Sequence, residues 1–250
     1  MGETVFTPCL EGIKHVKSEE GDMLTKPFLD VCKHILPILD KFGAAMTVVK
    51  SDIGGNISRL ESKYSSNPSR FNYLYSLVQA EVETKTSKSS SSCTNGLLWL
   101  TRAMDFLVEL FRNLSQYQDQ SMSHACNDAY SKTLKKWHGW LASSSFSVAI
   151  KLAPDRKKFM EVIGAEGDTY GDMEKFCTNF SPILEQIHKF LECVFHLCTL
   201  LGAGQCWIGQ HESFMMEWIS IHKFIPYILF KFCCRVTSIF LSFCQSFFPF

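Results

Sequence analysis

The chain has 250 residues, of which 46% are hydrophobic and 20% charged, a composition typical of a folded domain with a sizeable core rather than of a disordered polypeptide. Its 25 basic residues equal its 25 acidic ones, so it lacks the basic excess that nucleic-acid binding requires, and we expect no nucleic-acid partner. The 11 cysteines form no C-x-x-C pair and show no zinc-finger spacing, which favours reduced thiols over a disulfide scaffold and predicts no metal site.

Amphipathic helices are predicted along most of the chain, because apolar residues recur at three- and four-residue spacing. They cover residues 28–42, 45–64, 69–83, 97–114, 126–152, 155–163 and 174–191, with a flexible polar loop at 84–94. Alternating β-branched residues with hairpin turns are missing from the sequence. The predicted fold class is therefore all-α.

The composition changes near residue 193. Residues 193–250 hold five of the 50 charged residues but 10 of the 21 Phe and six of the 11 Cys. We therefore separate an atypical Phe- and Cys-rich tail at 193–250 from a helical domain at 26–192. The residues before the first predicted helical run, 1–25, are an N-terminal extension.

The tail admits two interpretations. Its residue types are those that thymine-rich codons encode, which suggests an alternative splice product, and exon boundaries would test this. A membrane anchor is the rival, but Pro226, Lys231 and Arg235 interrupt the apolar run and leave 15 uncharged residues, fewer than the roughly 20 that a spanning helix needs. Peripheral association or aggregation is then favoured over spanning.

A polar ladder lies on the second predicted helix. Asp52, Asn56 and Arg59 are spaced four and three residues apart and share one helix face. An acceptor, an amide and a guanidinium together suit a cluster of hydroxyl groups, although the spacing alone favours a solvated helix face with a weak Asp–Arg pair. Gly54-Gly55 within this helix costs about 1 kcal/mol per residue relative to alanine, which predicts that small residues are required there.

Aromatic residues mark two further candidate segments. Trp99 is either a core residue or a flat platform for a sugar ring. Trp137, His138 and Trp140 surround Gly139, which disfavours a helix and suggests an exposed aromatic near a turn. Motifs for a nucleophilic serine, a zinc protease or nucleotide binding do not occur, so an enzyme, with Asp52 and His138 as its acid–base pair, is the weaker alternative.

Three segments together resemble the glycolipid transfer protein family. They are Lys50-Ser51-Asp52-Ile53-Gly54-Gly55-Asn56-Ile57-Ser58-Arg59, Leu97-Leu98-Trp99-Leu100-Thr101-Arg102 and Leu134-Lys135-Lys136-Trp137-His138-Gly139-Trp140. They occur in the family's order, and the resemblance covers about residues 26–192. It implies a two-layer helical sandwich with a dry sleeve for lipid chains and a sugar-recognition centre at its mouth.

The resemblance also implies roles for individual residues. Asp52 and Asn56 correspond to residues that bond the sugar and the ceramide amide, Trp99 to the stacking platform and His138 to the partner of the amide carbonyl. Arg59 stands where the family usually has lysine, and Trp140 resembles a membrane-docking indole. From the match and the periodicity together, the candidate sleeve residues are Phe28, Leu39, Val49, Ile53, Leu134, Phe146 and Ala149, although ordinary core packing would use the same positions.

The predicted function is transfer of glycosphingolipids between membranes by a monomeric, cytosolic protein that touches membranes transiently and uses no cofactor. The N-terminus shows no secretory signal, consistent with that location. The family's ceramide-1-phosphate branch is the first alternative, but it places basic residues where this chain has Asn56, Trp99 and Ala103. The second alternative is a glycolipid sensor or scaffold without net transfer.

Overall fold

The computed structural model describes residues 2–164 and 167–200, and these residues form α-helices joined by short connections. The helices are α1 (Thr7–Ile13), α2 (Thr25–Asp40), α3 (Thr47–Ser66), α4 (Leu74–Glu83), α5 (Cys93–Gln116), α6 (Met122–Lys132), α7 (Trp140–Ile150), α8 (Arg156–Ile163) and α9 (Thr169–Leu200). In this part of the chain the only β-type pairings are two isolated bridges. The predicted all-α class is confirmed.

Helix α1 lies within the N-terminal extension at 1–25, where the sequence analysis predicted no helix. It packs against α2 and α9. The preceding Phe6 ring lies edge-on to Phe111 of α5, with centroids 5.1 Å apart, and 5.9 Å from Phe176 of α9. Because this phenylalanine is fully buried, residues 2–16 contribute to the core.

Helix α5 is the central element, since it packs against α3, α4, α6 and α9. Its N-terminus begins at Cys93, four residues before the predicted start, because two side chains satisfy its first N–H groups. The Glu81 carboxylate accepts from the N–H groups of Cys93 at 2.7 Å and Thr94 at 2.8 Å, and the Ser92 hydroxyl accepts from Asn95 N–H at 3.0 Å.

The connection between α4 and α5, predicted as a flexible loop, is tied down by its own hydrogen bonds. The Ser92 hydroxyl donates to the Ser87 carbonyl at 3.0 Å, and both serines are buried. The backbone N–H of Thr86 donates to the Glu81 carbonyl at 2.8 Å. This ordered connection fixes the start of α5 relative to α4.

The single helix predicted over 126–152 is wrong. The structure has α6 and α7 instead, separated by a 3-10 turn at Lys135–Trp137. His138 and Gly139 are extended, with ψ of 133° and 175°, so no helix can pass through them. The break places His138 and Trp140 at the junction of two helices.

Helix α9 passes without interruption through residue 192, where the sequence suggested a domain boundary. The predictions for 201–250, including splice origin and membrane association, fall outside the described residues. None of the helices in the described part of the chain combines the length and the apolar character that crossing a bilayer would demand.

Candidate functional site

The polar ladder of α3 meets α5 at Gly96. A Cβ added to this glycine would lie 3.1 Å from Cδ of Arg59 and 3.7 Å from Oδ1 of Asn56. A side chain at this position would therefore press on the ladder and require Arg59 to shift, so glycine favours the close approach of α5. Gly54 and Gly55 differ from Gly96. Apart from the neighbouring backbone of α3, a Cβ at either position would meet no atom of the described chain within 4 Å. The described residues therefore give no steric reason for these two glycines.

Asn56 and Asp52 occupy successive turns on this side of α3. Asn56 is buried, and its amide nitrogen donates to the Asp52 backbone carbonyl at 3.0 Å. Burial raises the pKa of the Asp52 carboxyl to about 6, although the positive charge of Arg59 and the amide of Asn56 lower it. Asp52 is thus an acid whose charge changes close to neutral pH.

Arg59 uses part of its donor set within the protein. Its Nη1 donates to the Ser90 carbonyl at 3.0 Å and to the Ser92 carbonyl at 3.4 Å, just before α5. The guanidinium therefore ties α3 to the α4–α5 connection. Its predicted sugar contact stays a prediction.

Trp99 and His138, 39 residues apart in sequence, lie side by side in the structure. Their ring centroids are 6.1 Å apart with planes at 29°. Trp99 is on α5, one turn after Gly96, and both rings are half-buried. The α3 ladder meets α5 at Gly96, and Trp99 follows one turn along α5 with His138 beside it; after the role that the resemblance predicts, we call these groups the headgroup site.

Tyr130 of α6 contacts the imidazole of His138. The phenolic oxygen lies 3.2 Å from Nδ1 of His138 and donates to the Ser143 hydroxyl at 2.9 Å. The Tyr130 ring stacks on Phe146, with centroids 4.0 Å apart. The hydrogen bond occupies one imidazole nitrogen and fixes the orientation of the ring.

The candidate sleeve residues lie in or next to the core. Five are buried and two, Val49 and Ala149, are half-buried; the buried ones are Phe28, Leu39, Ile53, Leu134 and Phe146. The Phe28 ring lies 6.2 Å from Phe180 of α9, and Phe146 meets Phe106 of α5 edge-on at 5.4 Å. Their role as a lipid sleeve stays a prediction, since ordinary core packing accounts for the same burial.

Trp140 is the first residue of α7, two residues after His138. Its side chain is 77% exposed. Two more exposed apolar residues follow, Val148 about two turns later and Leu152 just beyond the end of the helix. We call the exposed side chains of Trp140, Val148 and Leu152 the α7 strip.

Sequence reasoning missed Gly96, Tyr130 and Arg102 as members of the site. Gly96 could have been noticed, because a glycine inside a helix costs stability and this one precedes Trp99 by one turn. Tyr130 left no signal, since an unbroken helix would place it two turns from His138. Arg102 belongs to a quoted motif, but spacing alone does not show what its guanidinium contacts.

Comparison with known proteins decides the family. The family model described as glycolipid transfer protein (GLTP) matches residues 23–165. The chain belongs to the glycolipid transfer protein family. Its 194-residue match to glycolipid transfer protein 1 of Arabidopsis thaliana is 70% identical and covers 78% of this chain and 96% of that one.

Solved structures agree with this assignment. The glycolipid-transfer-protein fold of FAPP2, which selects simple glycosphingolipids, matches with a TM-score of 0.66 and 27% identity, covering 82% of this chain and 99% of that one. The ligand-free mouse ceramide-1-phosphate transfer protein matches with a TM-score of 0.67 and 24% identity, covering 80% and 98%, and shows the fold alone. The two-layer helical fold expected from the resemblance is thereby confirmed.

The family is one of lipid transfer proteins. Within residues 2–164 and 167–200, no three His, Cys, Asp or Glu side chains come together as a metal site would require. From Cys9 to Cys193 the cysteines are free thiols, and all of them except Cys193 are buried.

Proposed function

We propose that this protein carries glycosylated sphingolipids between membranes, gripping the sugar and the ceramide amide at the headgroup site. The single observation that carries the proposal is the meeting of Trp99 and His138 beside the α3 ladder. An indole face suits the C–H face of a sugar, while a carboxylate and an amide suit its hydroxyl groups. The 70% identity to a protein named as a glycolipid transfer protein supports the same ligand class.

Transfer by this mechanism needs no covalent step, metal or cofactor. Each methylene of a lipid chain holds it in the bilayer by about 0.8 kcal/mol. A protein sleeve that buries the same methylenes lowers the cost of crossing water. Phe28, Leu39, Val49, Ile53 and Phe146 are among our candidates for that sleeve, and specificity then depends on the headgroup site.

A neutral sugar is favoured over a phosphate because of the residues present at three positions. The family's ceramide-1-phosphate branch has basic residues at the positions of Asn56, Trp99 and Ala103. Ala103 is buried. A buried phosphate dianion without those cations would be strongly disfavoured. Arg102 is on the same stretch of α5, but its guanidinium lies against the Trp99 and Trp137 rings.

We further propose that the α7 strip makes the transient membrane contact, with the protein acting as a monomer at the cytosolic face of membranes. Tryptophan favours the bilayer interface, and Val148 and Leu152 extend the apolar surface that Trp140 begins. The exposed Lys135, Lys136 and Lys151 flank the strip and suit anionic headgroups.

The test is vesicle-to-vesicle transfer of glucosylceramide, galactosylceramide and ceramide-1-phosphate, each measured at the same protein and lipid concentrations. We expect transfer of both glycolipids to exceed that of ceramide-1-phosphate. Faster transfer of ceramide-1-phosphate would contradict the headgroup assignment. Glycolipid binding without movement between vesicles would instead show a sensor or scaffold.

A further inference from the structure

Arg102 of α5 contacts both halves of the headgroup site. Its guanidinium carbon lies 4.9 Å from the centroid of the Trp99 ring and 3.6 Å from that of the Trp137 ring. Trp99 belongs to α5, whereas Trp137 ends the 3-10 turn and is bonded directly to His138. One cation therefore bridges the candidate sugar platform and the segment that carries the imidazole.

We propose that Arg102 is a positioning residue for glycolipid recognition, which holds Trp99 and His138 at the separation that the sugar and amide require. This inference rests on the proposed function and adds to it a residue outside the ligand contacts. A planar guanidinium can lie against two aromatic faces at once, which a lysine ammonium cannot do equally well. The position therefore selects arginine for its shape as well as its charge.

Arg102 does not have the surroundings of an ordinary surface arginine. Its Nε atom is buried without a hydrogen-bond partner among the described residues. Burial lowers its pKa to about 10, with only Asp105 acting in the opposite direction. A buried donor without a partner costs free energy, and the contacts with the two indole rings offset that cost.

Arg102 also lines a cleft between α5 and α9. This cleft, of about 560 Å³, lies between α5, the Lys135–Trp137 turn and α9, and both Arg102 and Trp137 line it. Arg112 lines the same cleft ten residues further along α5, where it pairs with Glu109 and Ser181. It serves as a matched control arginine.

The experiment compares the full-length protein with Arg102→Gln, Arg102→Lys and Arg112→Gln. Binding of glucosylceramide and of ceramide with the same acyl chain is measured, and their affinity ratio reports the contribution of the sugar. We expect Arg102→Gln to lower this ratio about tenfold, Arg102→Lys to lower it by less, and Arg112→Gln to leave it unchanged. Loss of fold would weaken both ligands alike and leave the ratio unchanged.

A measurement without ligand keeps the two levels of the proposal separate. In ¹H–¹⁵N spectra, Arg102→Gln should shift the indole N–H signals of Trp99 and Trp137 but not that of Trp140. An unshifted Trp99 signal, an unchanged affinity ratio or equal weakening of both lipids would overturn the role of Arg102. A wild-type ratio near one would overturn the sugar-binding function itself, whatever the spectra show.

Discussion

At the scale of single residues, Asp52 connects burial to ligand recognition. Only its ionised form offers acceptors on both oxygens to sugar hydroxyls, yet burial has raised its pKa to about 6. We therefore expect glycolipid affinity to rise as the pH increases through about 6. Asp52→Asn should bind more weakly at neutral pH and lose this pH dependence.

The same carboxyl group should make the free energy of unfolding fall with rising pH, in the direction opposite to glycolipid affinity. A carboxyl whose pKa is higher in the folded than in the unfolded chain, where it is about 3.9, stabilises the fold below that value. The contribution is lost as the pH rises to about 6. Denaturant unfolding of wild type and Asp52→Asn from pH 4 to 7 measures the difference, with Asp30→Asn, which removes the pair with Lys26, as control. A wild-type curve of glycolipid affinity against pH without a step near pH 6 would contradict the role assigned to Asp52.

At the scale of elements, the approach of α3 to α5 depends on one glycine. In Gly96→Val the new side chain would meet Arg59 and Asn56, so the helices must separate or the ladder must move. We expect stability to fall by about 1–3 kcal/mol and glycolipid transfer to fall with it.

Gly55→Ala on α3 is the matched control for that substitution. It adds a methyl group where the described chain leaves open space, so we expect stability to rise by about 0.5–1 kcal/mol. Urea unfolding measures both variants. Equal stability changes for the two would show that the contact at Gly96 does not limit the approach.

The N-terminus of α5 depends on a side chain of α4. Glu81→Gln keeps the size of the capping group but removes the charge that the N–H groups of Cys93 and Thr94 face. We expect a loss of about 1–2 kcal/mol in the free energy of unfolding. Glu83→Gln on the same helix removes only an exposed contact with Arg70 at 3.8 Å and should change stability by less than about 0.5 kcal/mol. A similar loss in both variants would rule out a specific cap.

At the scale of the whole molecule, the proposed membrane contact and the headgroup site use different side chains around the α6–α7 junction. Trp140 is exposed on α7, whereas the headgroup site lies between α3, α5 and the α6–α7 junction. We expect Trp140→Ala to slow transfer and reduce sedimentation with vesicles, while binding of dispersed glycolipid is retained. Tyr117→Ala, which removes an exposed aromatic at the end of α5, should leave transfer unchanged. Equal effects of both variants would argue against docking through α7.

Sequence by itself determined the fold class, because three- and four-residue periodicity is a local property that each helix carries within its own residues. It also determined the family, since three motifs in order match residue by residue. It placed most helices within a few residues, and it named Asp52, Asn56, Trp99 and His138 as one candidate site.

Only the tertiary structure decided how α3, α5 and the α6–α7 junction meet. The break at His138 and Gly139, the early start of α5 on Glu81 and the burial of Phe6 all depend on contacts between residues far apart in the chain. The same holds for Gly96 against Arg59, and for Arg102 between two indoles. Helical periodicity reports which face of a helix is apolar, but it carries no information about the partner that face meets, because packing is settled by the shapes of side chains from several elements at once.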